Sequence, residues 1–211
     1  MTLSKKPLNP ALSEKSGIKI GIFGTAANPP HIGHLKIVKC AKRFLRLDRT
    51  IVIPTKIPPH KDMPQVTPKA RFQMTRLLFT DTPGVLVSDV EISRRGISYT
   101  KDTIAILKKK YSKDKLIWII GQDSLANMLR DWEEGYGILD LCQFAVLSRK
   151  DCSLKKIPKD ILAKVIMIKN CGFARESSTE IRDIASDNKK LSKMVGKKVY
   201  AYIKKHKLYE K

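Results

Sequence analysis

The chain has 211 residues, 42% hydrophobic and 29% charged, which is enough apolar content for a buried core and excludes a disordered protein. No apolar run approaches the ~20 residues a membrane helix needs, and residues 1–16 lack the apolar stretch of a secretory signal. A formal net charge of +22 leaves open a nucleic-acid partner, an anionic small substrate, or a merely lysine-rich surface.

Residues 1–16 read as a loose tail and 17–211 as a single domain. IKIGIF (18–23) is a strand, and residues 32–47 carry apolar positions at helical spacing. TIVIP (50–54) is a second strand, followed by a proline-rich loop (55–67) and a helix from about Lys69 to Phe79. Residues 85–92 carry a strand and 100–110 a helix. KLIWII (115–120) is a buried strand, and 124–129 and 137–141 are helical. FAVLSR (144–149) and AKVIMI (163–168) are further strands, with helices at 178–186 and 195–206. Strands alternating with helices imply βαβ units. The expected fold is α/β: a Rossmann-like, doubly wound, mostly parallel sheet flanked by helices, with a small helical C-terminal portion. Ligands on such sheets bind beyond the carboxyl ends of the strands.

Four cysteines (Cys40, Cys142, Cys152, Cys171) are scattered without a CxxC pair, so reduced thiols in a cytoplasmic protein are expected rather than a zinc site or disulfide framework. The stretch 186–211 holds nine lysines against Asp187 and Glu210. They interleave with Val199, Ile203 and Leu208, as on the solvated face of an amphipathic helix. No stacking platform for single-stranded nucleic acid is visible among them.

GIFGTAANPPHIGHL (21–35) carries the most chemistry. It is neither a Walker A loop nor GxGxxG. It offers a turn of small residues (Gly24, Thr25, Ala26) that lets an anion approach the backbone, and a helix start with free N–H groups. His31 and His34 lie one turn apart on one face of that helix. Phosphate binding, core or capping roles, and metal ligation all remain readings of this pair. Metal is disfavoured because no cysteine or third histidine stands at ligand spacing.

His31-Ile32-Gly33-His34 spells the HIGH signature of the nucleotidyltransferase superfamily, shared with class I aminoacyl-tRNA synthetases. KLSKM (190–194) imitates the second synthetase motif, but it lies in the basic C-terminal segment and no room remains for an anticodon module. From about Ile18 onward the chain resembles the bacterial nicotinate-nucleotide adenylyltransferases. The resemblance rests on FGTAANPPHIGHL (23–35), PPHK (58–61), DVEISRRGISYTKDT (89–103), IIGQDSL (119–125) with Trp132 and Arg149, and SSTEIR (177–182), in that order. Thr25, Ala26 and Ala27, Asn28 and Glu176 depart from the family's usual residues.

The resemblance implies that the 5′-phosphate of nicotinate mononucleotide attacks the α-phosphorus of ATP. Deamido-NAD forms and pyrophosphate leaves, with Mg²⁺ accompanying ATP. His31, His34 and Arg182 would be catalytic. Gly24, Thr25, Ala26, Gly33, Gly121, Asp123, Arg149, Ser177, Ser178 and Thr179 would bind ATP. His60, Lys61, Tyr99, Thr100 and Trp132 would bind the nicotinate nucleotide. No metal ligand from a protein side chain is expected, nor a membrane partner. Nucleic acid is disfavoured, and a homo-oligomer stays open.

Sibling enzymes such as pantetheine-phosphate adenylyltransferase or the glycerol- and choline-phosphate cytidylyltransferases share the first histidine motif. SYTKDT and the Trp132 segment argue against them. The rival from another class is a basic nucleic-acid-binding protein on the same scaffold, marked by salt-sensitive RNA binding without turnover.

Overall fold

The computed structural model describes residues 17–59, 63–148, 152–169, 171 and 176–210. Its strands are β1 (Lys19–Thr25), β2 (Arg49–Pro54), β3 (Val85–Val87), β4 (Lys115–Gly121), β5 (Gln143–Leu147) and β6 (Val165–Ile168). They form one sheet in the order β3-β2-β1-β4-β5-β6, parallel at every pairing. The central strands are buried on both faces, so their apolar runs are continuous rather than alternating.

Strand side chains still alternate between faces. Ile20, Ile22, Ile51, Ile53, Trp118, Ile120, Phe144 and Val146 pack together with Ile104 and Leu107 of α3 (Thr100–Lys110). The short helices α4 (Gln122–Ala126) and α5 (Met128–Asp131) add Leu125 and Met128 to that layer. Phe23, Val52, Ile117, Ile119, Ala145 and Leu147 face the other way. They meet Val38, Ala41 and Leu45 of α1 (Ile32–Leu45) and Phe79 of α2 (Pro68–Phe79). Helices on both faces make the sheet doubly wound, as the alternation of elements implied.

A third cluster joins the C-terminal helices to α2. Met74 packs with Ile181 of α7 (Ser178–Asp183), Leu191 and Val195 of α8 (Asn188–Val195), and Val199 and Ile203 of α9 (Lys197–Lys205). Gly196 separates the last two helices at φ 84°, a conformation that favours glycine.

Several boundaries differ from the sequence-based expectations. The strand expected at 85–92 ends at Val87, because Ser88–Tyr99 turns away to reach α3. The helix expected at 124–129 divides into α4 and α5, and 137–141 lies in a 3₁₀ turn, Gly135–Asp140. The helix α6 (Lys159–Ala163) and α8 were not anticipated. The KLSKM stretch lies in α8, with Leu191 buried in the C-terminal cluster. The expectation of reduced thiols is corrected for one pair: Cys40 of α1 and Cys171, just beyond β6, form a disulfide with Cα atoms 5.7 Å apart. Their separation of 131 residues hid a proximity that packing creates. Among the described residues, no helix is long and apolar enough to cross a membrane.

Candidate active site

The strand order reverses direction between β1 and β4, and the loops beyond their carboxyl ends open a cleft of about 1320 Å³. Beyond β1 the chain turns through Ala27, in the left-handed region at φ 50°, and a cis Asn28–Pro29 peptide before α1 begins.

His31 caps the start of α1. Its backbone N–H donates to His34 Nδ1 at 3.2 Å, which assigns the proton of a neutral His34 ring to Nε2. That nitrogen lies 3.0 Å from Thr25 Oγ1, which also accepts from the Ala27 N–H at 3.2 Å. The two imidazole centroids are 3.8 Å apart. His31 is 5% exposed, and its Nδ1 has no partner among the described residues. Burial pushes its pKa down to about 4 against the opposing pull of Glu176, so the imidazole is neutral at pH 7. Gly33 is demanded by this packing: a Cβ there would lie 2.8 Å from the His31 ring.

The second wall is α7, held against the turn after β1. The Ser177 hydroxyl accepts from the Glu180 N–H at 3.1 Å and caps the helix. Ser178 Oγ donates to the Pro29 carbonyl at 3.0 Å. Arg182 donates to the Asn28 carbonyl at 2.8 Å and to Thr179 Oγ1 at 3.2 Å. The Tyr209 hydroxyl donates to Asn28 Oδ1 at 2.9 Å. SSTEIR and HIGH, far apart in sequence, therefore meet at one end of the cleft. Ser178 directs its hydroxyl proton to Pro29. Ser177 and Thr179 are acceptors in their bonds and keep a proton to donate.

Gly121 closes β4, and Asp123 lies in the first turn of α4. Both line the cleft, as do Gly24, Thr25, Ala26, Gly33, Ser177, Ser178 and Thr179 along with His31, His34 and Arg182. Across the opening, Tyr99 caps α3 and Thr100 is its first residue. Trp132 ends α5 with its ring edge-on to Phe144, the centroids 6.3 Å apart. All three line the same cleft. Trp118 is 3% exposed and belongs to the core, with its ring beneath Gly24. His60, Lys61 and Arg149 lie outside the described residues.

Three side chains of structural weight at this site were missed. Arg71, fully buried in α2, donates to the carbonyls of Val66 (3.2 Å), Ala26 (2.6 Å), Thr55 (2.6 Å) and Lys56 (2.8 Å), pinning the loops under the cleft. Its place on the apolar face of α2, beside Met74 and Thr75, was the available signal. Glu91 lines the cleft at 4% exposure and accepts from Thr103 Oγ1 at 2.9 Å, while its Oε2 has no partner among the described residues. Burial raises its pKa to about 7. Tyr209 gave no local signal. Among the described residues, no group of three or more His, Cys, Asp or Glu is placed to hold a metal ion.

Residues 22–184 match the family model described as Cytidylyltransferase-like. A protein of Fusobacterium nucleatum named probable nicotinate-nucleotide adenylyltransferase is 39% identical over 190 residues, covering 89% of this chain and 98% of that protein. A protein of the same name from Caldicellulosiruptor saccharolyticus is 33% identical over 199 residues, covering 92% of this chain and all of its own length. The solved structure of Plasmodium falciparum nicotinic acid mononucleotide adenylyltransferase complexed with NaAD shares the fold at TM-score 0.77. It is 18% identical, with 91% of this chain and 97% of that chain covered.

Proposed function

Since the chain belongs to the cytidylyltransferase-like family and, within it, to the nicotinate-nucleotide adenylyltransferases, we propose that its cleft transfers AMP from ATP to nicotinate mononucleotide, yielding deamido-NAD and pyrophosphate. The observation that carries the reading is the meeting of His31, His34, Thr179 and Arg182 at one end of a cleft whose other rim bears Tyr99, Thr100 and Trp132.

The acceptor's 5′-phosphate oxygen forms a bond to the α-phosphorus of ATP as the bond to the β-phosphate oxygen breaks. No covalent enzyme intermediate is required. Catalysis of this kind depends on alignment and on charge stabilisation. With Nδ1 accepting from the His31 N–H, His34 offers its Nε2–H, which a phosphate oxygen can take over from Thr25. His31, desolvated and neutral, gains a reason to protonate when an anion arrives beside it. Arg182 keeps N–H donors beyond those on Asn28 and Thr179, and its planar group suits a leaving pyrophosphate. Gly24, Thr25, Ala26 and Gly33 allow a phosphate to approach the turn. Gly121 and Asp123 are assigned to the ribose or adenine, as is Arg149. Trp132 offers the face on which a pyridine ring stacks, and the N–H groups of Tyr99 and Thr100 suit its carboxylate. His60 and Lys61 are assigned to the acceptor phosphate.

Mg²⁺ fits this site as a companion of the triphosphate rather than as a protein-caged ion, since the cleft offers donors to phosphate and no ligand cluster stands among the described residues. Bound there, it supplies charge neutralisation on the phosphates.

The test is pyrophosphate release from ATP and Mg²⁺ with nicotinate mononucleotide and nicotinamide mononucleotide as parallel acceptors. Release is expected with the acid, and His34→Ala should lower kcat on the order of 10²–10³-fold. No release with either acceptor refutes the acceptor assignment. Unchanged kcat in His34→Ala refutes the role of the histidine.

A further inference from the structure

One charge cluster beside the cleft takes no part in the mechanism above. Lys101 Nζ lies 2.9 Å from Glu133 Oε2 and 2.8 Å from Glu134 Oε1. Glu134 Oε1 is enclosed and meets the ammonium as an ion pair without hydrogen-bond alignment. The same ammonium sits 5.6 Å from the centroid of the Tyr99 ring. Lys101 directly follows Thr100 on α3, and Glu133 and Glu134 directly follow Trp132. The cluster therefore ties together the two segments assigned to the acceptor ring. Both glutamates line the cleft, whereas Lys101 is not among its lining residues.

The arrangement is awkward for an anionic acceptor. Two carboxylates border the place where a ring carboxylate would dock, and like charges repel. The lysine is held firmly in its charged form: both glutamates raise its pKa. It cancels one of the two negative charges and turns both carboxylates toward itself.

We propose that Lys101 is a positioning and specificity residue for the acceptor, which offsets one of the two negative charges of Glu133 and Glu134 and so lets the cleft take a pyridine ring bearing a carboxylate in preference to one bearing a carboxamide. The inference rests on the acceptor reading given above. The carboxamide is uncharged, so it gains nothing from the neutralisation. A purely structural tie would serve both acceptors alike. The ratio of the two acceptors therefore isolates the electrostatic role.

The experiment measures kcat/KM for nicotinate mononucleotide and nicotinamide mononucleotide in the unmodified protein, in Lys101→Met, and in Lys101→Met combined with Glu133→Gln and Glu134→Gln. The cluster is solvent-accessible, where a single charge carries modest weight. Lys101→Met should lower the acid-to-amide ratio about two- to five-fold. The loss should fall on KM for the acid acceptor, leave KM for ATP unchanged, and shrink as salt is raised. The triple variant should restore the ratio. Equal losses with both acceptors, or a ratio that the glutamine changes do not restore, overturn this inference alone. Absence of turnover with either acceptor in the unmodified protein overturns the acceptor reading and this inference with it.

Discussion

Replacing Arg71 with methionine tests whether one buried cation holds the floor of the cleft together. The guanidinium is completely buried and donates to four backbone carbonyls, at 2.6 to 3.2 Å, from three segments: the turn after β1, the residues after β2, and the approach to α2. Hydrogen bonds to a charged group contribute about 1.5–3 kcal/mol each, so four amount to roughly 6–12 kcal/mol before desolvation. Stripping water from the guanidinium costs several kcal/mol, and burial lowers its pKa accordingly. Methionine replaces much of the volume but leaves the four carbonyls without donors. A net loss of about 3–5 kcal/mol in unfolding free energy follows. Urea denaturation followed by circular dichroism measures it. Arg71→Lys, with a shorter reach and no fork, should fall between the two. The Ala26 carbonyl is one of the four acceptors, so KM for ATP should rise in the variant under conditions where it stays folded. A loss below about 1 kcal/mol with ATP kinetics intact refutes the view that Arg71 organises these loops.

Glu91 yields a pH prediction. Its folded pKa is raised from 4.5 to about 7 by burial, so its contribution to stability is fully present below pH 4.5 and is lost as pH rises through 7. At 1.36 kcal/mol per unit the total is about 3 kcal/mol. The stability of the unmodified protein relative to Glu91→Gln should fall by that order between pH 4.5 and 8 in chemical denaturation, and a flat difference refutes it. The Cys40–Cys171 bond closes a loop of 131 residues, for which chain entropy sets a ceiling of about 5 kcal/mol. Reduction, or Cys40→Ser, should lower unfolding free energy by about 2–5 kcal/mol. Identical melting with and without reductant is the result that counts against a formed disulfide.

Local features were legible because they obey local rules. IKIGIF, TIVIP and KLIWII read as buried parallel strands since an apolar run between turn residues has no other stable use in an alternating βα chain. The HIGH turn, the Ser177 cap and the start of α3 at Thr100 announce themselves through glycine, hydroxyl and spacing signals within a few residues. The doubly wound order follows from the same alternation. Where a strand or helix stops depends on tertiary demands, and there the sequence was less informative: the strand carried by 85–92 is only Val85–Val87 before the chain turns toward α3, and α8, ahead of Gly196, went unanticipated.

The long-range chemistry belonged to the tertiary structure alone. Arg71 reaching Ala26, Tyr209 reaching Asn28, Ser178 turned to Pro29, Cys40 meeting Cys171 and Lys101 between Glu133 and Glu134 are contacts between segments that no periodicity relates. A residue's type says which bonds it can make, and its neighbours in sequence say which local conformation it adopts. Which distant backbone it will touch is decided only when the sheet has brought the loops to one edge, because burial then drives most polar groups there to find a partner.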